Sequence, residues 1–396
     1  MTAEPGRIKL DPANRPYPAN RQYQPDAAGC TLIQNREPKM ETPDKHSLAS
    51  ESPIAQRCNM RITVPCITAG IALFAAVATS AAPADGGARM LLYVDNSLGD
   101  DITVIDLGTL KIVDTLKVGN QPHALCAPAD GRRLFTSIES EKNLKTIDTI
   151  TGKIIGTIAV TGKPNECAAT PDGRYVGVPI RDGNSVDIVD TILKKVVKVL
   201  PVKEPHNCFN TGNNNDMYVS SIGSNEIDVI DLKKMDYSAR IPTGGIPRPY
   251  AVSHDEKALY TALTNLHGFV VADIPSRKVI ERVELPPAPP LNCPLEVNTP
   301  THGVALTPDG KQLWVTSLAD GGVYVYDLAT KKTSPMIPVG KCPNWIACSP
   351  DGKYCAVSNS DTDDCSIIDA HTQREVARVK VGKGPKRVLV VKVPTA

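Results

Sequence analysis

The sequence is most informative at first for what it lacks. Aromatic residues make up 4% of its 396 positions, with two tryptophans in the whole chain. The formal net charge is +1, so no global basic field points to nucleic acid and none points to acidic substrates. The longest apolar run, Ile67 to Ala78, is about a dozen residues and too short to cross a bilayer. No sustained helical period appears. No nucleophile–histidine–carboxylate spacing, HExxH helix or CxxC…CxxC pair stands out, so the sequence points to no particular reaction.

The apolar run has a context. Met60-Arg61 opens a short basic segment before it, and Ala82-Pro83-Ala84 supplies small residues after it. This is the layout of a secretory signal peptide over 60–84. Cys66 precedes the run instead of ending it, which argues against a lipid anchor. Residues 1–59 are rich in Pro, Asn, Gln and charge without a period, and read as disordered or as a gene-model extension ahead of a start at Met60. The expected compartment is the periplasm or the exterior, with no membrane anchor after processing. The eleven cysteines are then read as those of an exported protein.

What is present is a repeat. Val104-Ile105-Asp106-Leu107 returns in kind around Asp148, Asp190, Asp231, Asp273, Asp327 and Asp369, at intervals of 42, 42, 41, 42, 54 and 42 residues. A fixed period in the forties is the mark of a repeat architecture. Each unit opens on a proline (Pro122, Pro164, Pro205, Pro247, Pro300, Pro343, Pro385) and carries four short β-rich runs. A tight Pro-Asp-Gly turn joins the first two at Pro171, Pro308 and Pro350, with Asp130-Gly131 as a variant. Four strands per unit, repeated radially, predict an all-β seven-bladed propeller over 85–396. After Pro385 only one strand remains, and residues 90–118 hold three. The N-terminal strands are therefore expected to pair with the C-terminal strand in one shared blade, leaving no long unpaired edge. The longer interval contains the Pro-rich insertion Pro286 to Pro294.

These residues carry a family resemblance. The Pro-Asp-Gly turns, the Val-Ile-Asp strand and the Val-Gly-x-x-Pro linkers at Val118 and Val381 resemble the YVTN-repeat, YncE-like propellers of bacterial envelopes, over roughly residues 88–396. The resemblance implies an exported, ligand-binding or scaffold domain. More distant propellers of similar blade type include the haem-d1 domain of cytochrome cd1 and seven-bladed lactonases. The WD40 and quinoprotein types are disfavoured, because there is no Gly-His…Trp-Asp pairing and no tryptophan in each unit.

The seven repeated aspartates are read as turn-formers, since a residue present in every blade most simply bonds backbone amides after a strand. Function is sought where blades differ. The position after each opening proline reads His123, Asn165, His206, Arg248, (after Thr301) His302, Asn344 and Lys386, all polar and at the mouth of an axis-facing strand. Neighbouring positions add Glu166, Tyr250, Trp345 and Arg387, and the loops on the same face add His267. This polar funnel is the expected site for a small molecule or an envelope protein. His123, His206 and His302 are candidates to hold a metal ion or flank a planar cofactor, as in a lactonase- or lyase-like enzyme or a haem-d1-type carrier. Single-stranded nucleic acid stacking on Trp345 among Arg248, Lys386 and Arg387 is a minor alternative without a basic balance. Cys348 and Cys355 flank one turn, and Cys293 and Cys342 lie on one face; both pairs are disulfide candidates. Cys126, Cys167 and Cys208, on successive inner strands near His123 and His206, are read as packing residues, with a His/Cys metal site as the sharper alternative. A monomer is expected.

Overall fold

The computed structural model describes residues 88–293 and 299–395. The expected leader at 60–84 and the segment 1–59 lie outside the described residues. Seven antiparallel sheets form seven blades. Blade 1 runs outward through Pro385–Val393, Arg89–Asn96, Asp101–Asp106 and Lys111–Lys117, so the two ends of the repeat array share a sheet as expected. Leu91 pairs with Val391 and Tyr93 with Leu389 across that seam. The inner strands of blades 2 to 7 are Pro122–Cys126, Ala168–Ala169, Pro205–Phe209, Pro247–Val252, Thr301–Leu306 and Pro343–Cys348. Each touches the next, and Pro385–Val393 touches both Pro343–Cys348 and Pro122–Cys126, which closes the ring.

The blades pack face to face, so strands in the middle of a blade are buried on both sides and read as apolar runs. Between blades 1 and 2, Tyr93, Ile102 and Val104 meet Leu125, Leu134 and Ile147. Burying each such side chain stabilises the fold by roughly 1.5–3 kcal/mol. The outermost strands are mostly exposed instead, as Lys111–Lys117 shows, and Arg374–Lys380 alternates between exposed and half-buried positions.

Three devices repeat around the ring. First, the periodic aspartates all accept backbone amides of the turn that follows: Asp106 from Gly108 and Thr109, Asp148 from Thr151, Asp190 from Ile192 and Leu193, Asp231 from Lys233, Asp273 from Ser276, Asp327 from Thr330 and Asp369 from Thr372. Second, a hydroxyl and an aspartate lock the first-to-second-strand turn. Thr170 donates to Asp172, Thr307 to Asp309 and Ser349 to Asp351, while each carboxylate accepts an amide two residues on. In the variant turn Gly131 sits at φ 64°, and a Cβ there would stand 2.1 Å from the Lys392 carbonyl oxygen. Third, every blade has a one-residue bulge just after its opening proline, where the inner strand shifts register against its neighbour. A bulge re-aims side chains at a strand end. Here it holds the polar residues of the funnel.

Both expected disulfides form. Cys348 and Cys355 are direct ladder partners, and Cys293 ties the Pro-rich insertion to Cys342 ahead of blade 7. Among the described residues no helix is long and apolar enough to cross a membrane.

Candidate functional site: the axial channel

At the mouth, most of the polar ring is turned inward and buried. His123, Asn165, His302 and Asn344 are each at most 4% exposed. The reason is inter-blade stitching. His123 Nδ1 donates to the carbonyl of Asn165 at 2.5 Å, Asn165 Nδ2 to the carbonyl of His206 at 2.5 Å, and His302 Nδ1 to the carbonyl of Asn344 at 2.7 Å. Each bond joins one blade to the equivalent position of the next. A donor at this position therefore satisfies a backbone carbonyl on the channel edge, where no sheet partner exists. The Asn165 side chain also accepts from Arg181. His206 Nδ1 pairs with Asn207 Oδ1 at 2.7 Å, and Arg248 Nε donates to Thr264 Oγ1 at 2.8 Å.

Burial disfavours the charged form of an imidazole, and neighbouring cations add to the effect. His302 is pushed down to about 3, chiefly by burial and then by Arg387. His123 and His206 move the same way, chiefly through burial, with Lys386 the strongest cationic influence on the first and Arg248 on the second. Lys386 falls to about 8 through burial and its neighbours Arg387 and Arg181, against Glu139 and Asp95. The three histidines stand in blades 2, 4 and 6, and each commits Nδ1 to a protein acceptor. Among the described residues no group of three or more His, Cys, Asp or Glu side chains converges on a metal position.

His267 lies apart from this ring. Its Nδ1 bonds the Pro286 carbonyl and its Nε2 bonds Ser317 Oγ, both at 2.8 Å, with Asp320 at 3.5 Å. It anchors the start of the insertion against blades 5 and 6.

Deeper in the channel, Arg387 and Glu166 meet across 221 residues of sequence. Arg387 Nε donates to Glu166 Oε2 at 2.7 Å, and Asn207 Nδ2 reaches the same oxygen at 3.2 Å. The guanidinium carbon lies 3.9 Å from the centroid of the Trp345 ring, and His302 meets that ring edge-on. Both members of the pair are buried, with side chains 4% and 5% exposed. Burial pushes the Glu166 carboxyl up while Arg387 works to hold it ionised. Blades 1, 3 and 7 are thus joined over the axis by one cation.

Below that pair, toward the face of the Pro-Asp-Gly turns, lies a cavity of about 430 Å³. Its walls are the far halves of the inner strands, including Leu125, Val252, Leu306, Ile346 and Leu389, with Phe209, Tyr250 and Trp345 as aromatic surface. Thr211, Gly212 and His254 contribute at the turns. Glu166 and Arg387 form its charged end. Four of the residues singled out in the sequence, Glu166, Tyr250, Trp345 and Arg387, therefore line one space, whereas the others of the funnel are not part of its lining. Cys126, Cys167 and Cys208 also border it, as free thiols. Burial pushes Cys167 and Cys208 well up, so they are protonated packing groups.

Two features escaped sequence reasoning. The wall of the cavity is apolar and looks like any inner strand. Asp95, fully buried, takes the penultimate place of its strand, where Ser220, Thr316 and Ser358 accept the amide of the inner-strand bulge. Its Oδ2 has no partner, and burial raises its carboxyl well above the usual range against Arg387 and Lys386. Aligning the blades would have exposed it as the one acidic residue at a place held elsewhere by Ser137, Pro179, Ser220, Ala262, Thr316 and Ser358.

No family model and no curated protein matches the chain. Solved structures share the fold. The periplasmic gluconolactonase PpgL of Pseudomonas aeruginosa aligns with TM-score 0.62 and 20% identity over 77% of this chain and all of that one. Hydrazine synthase of Kuenenia stuttgartiensis aligns at 0.58 and 23%, over 69% and 96%. The dihydro-haem d1 dehydrogenase NirN aligns at 0.56 and 16%, over 77% and 75%. At these identities the likeness is one of fold, and fold does not choose a chemistry.

Proposed function

We propose that this chain is an exported propeller that binds a small organic molecule in its axial channel. The observation that carries this reading is the 430 Å³ cavity closed at one end by the Glu166–Arg387 pair. Its volume falls within the range of small-molecule sites, and it combines a chiefly apolar wall with a few convergent polar groups, the usual composition of such sites. Export is supported by the leader-like 60–84 segment and by two disulfides, which persist in oxidising compartments. The YVTN-type repeat fits the same reading.

Catalysis or cofactor carriage by His123, His206 and His302 has weaker support. They sit on alternate blades, and their Nδ1 atoms serve the scaffold. Native mass spectrometry of the protein exported under its own leader tests the proposal. The expected result is a chain beginning after Ala84, with additional mass that leaves on denaturation. A bare chain, together with no uptake of small molecules by the purified protein, would overturn it.

A further inference from the structure

The charged end of the cavity says which class of molecule fits. Arg387 satisfies Glu166 through Nε alone, and its Nη2 is buried with no hydrogen-bond partner. A guanidinium carries five N–H donors in a planar fork suited to a carboxylate. An orphaned donor of this kind carries a desolvation penalty that a ligand acceptor would remove. Trp345 covers one face of the guanidinium, which fixes its plane. The other charged group lining the cavity, Glu166, is already engaged. Beyond this end the wall is aliphatic and aromatic, with Leu306, Ile346, Leu389 and Phe209.

Resting on the reading of the cavity as a small-molecule site, we infer that its ligand is an amphipathic monocarboxylate. Its carboxylate is received by Arg387, and its apolar body lies along the inner strands. Glu166 then acts as an internal competitor for the same cation. It occupies Nε, offsets the charge of the empty site, and weakens capture of an outside carboxylate. This gives a sign that a merely structural ion pair would not: neutralising Glu166 should strengthen binding.

Calorimetric titration of the purified protein with octanoate and with 1-octanol, which share a chain and differ in the head group, tests this. The expected result is octanoate binding at least about tenfold tighter than 1-octanol, a difference near 1.4 kcal/mol. Glu166→Gln should tighten octanoate several-fold and leave 1-octanol unchanged. Arg387→Met, which retains a long side chain against Trp345, should remove the preference for the carboxylate, with folding verified by circular dichroism. Equal binding of the two probes would overturn the carboxylate assignment and leave the cavity a general apolar site. Unchanged or weaker octanoate binding in folded Glu166→Gln would overturn it as well. Binding of neither probe would sink the assignment, and with a bare chain in the mass spectrum it would sink the small-molecule reading too.

Discussion

The buried imidazoles should make this propeller sensitive to mild acid, and His302 allows the effect to be isolated. In the folded chain His302 titrates at about 3, because burial and Arg387 disfavour the imidazolium. In the unfolded chain it titrates near 6.5, at about the reference value. A histidine whose folded pKa is depressed costs nothing above the unfolded value, where both states are neutral. Below it the unfolded state takes up a proton that the folded state refuses, so stability falls as pH falls from about 6.5 toward 3. At about pH 5 the loss from this one residue is about 2 kcal/mol, against almost nothing at about pH 7.5. His302→Asn is the informative variant, because Asn165 makes the equivalent bond to the next blade with its amide. The assay is urea unfolding of both proteins at the two pH values, followed by fluorescence and far-UV circular dichroism. The variant should lose about 2 kcal/mol less than the natural chain between them. Asp95 and Glu166, whose raised pKa values act with the opposite sign, are present in both proteins and cancel in the difference. An identical pH dependence in the two would refute the view that His302 is held neutral by burial.

Other outcomes follow from the scaffold. Gly131→Ala forces a side chain onto a positive φ and against the Lys392 carbonyl, and should cost about 1–3 kcal/mol, read as a lowered melting temperature. The two disulfides close loops of different size, with separations of 49 and 7 residues. Replacing Cys293 and Cys342 by serine should therefore cost about 4 kcal/mol, against about 2 kcal/mol for Cys348 and Cys355, on the loop-entropy account. A reversed order in denaturant midpoints would refute that account here. Asp148→Ala removes the acceptor of the Ile150 and Thr151 amides in an exposed turn and should cost about 1 kcal/mol by the same measurement.

The repeated units were legible because the local rules are strong and were stated seven times. The Asp-capped turns, the Pro-Asp-Gly hairpins and the alternation of inner and outer strands depend on residues close in sequence, and the period counted the blades. The shared blade followed from one strand left over at one end and three at the other. Pairing of Cys348 with Cys355 was equally local, since a hairpin sets their register.

The channel was legible only in part. The polar ring after each proline was visible as a pattern. Whether those groups face solvent or serve one another depends on how far each bulge turns a side chain toward the next blade, some forty residues away. His123 and His302 look like ligands in sequence and are inter-blade ties in space. Glu166 and Arg387 were both named, yet nothing local joins residues 221 apart. By itself the sequence determined the blades, their number and their closure, because backbone hydrogen bonding and side-chain alternation act over short range. Tertiary structure alone decided which end of the channel holds the cavity and which cation faces it, because that depends on seven strands converging on an axis that none of them encodes.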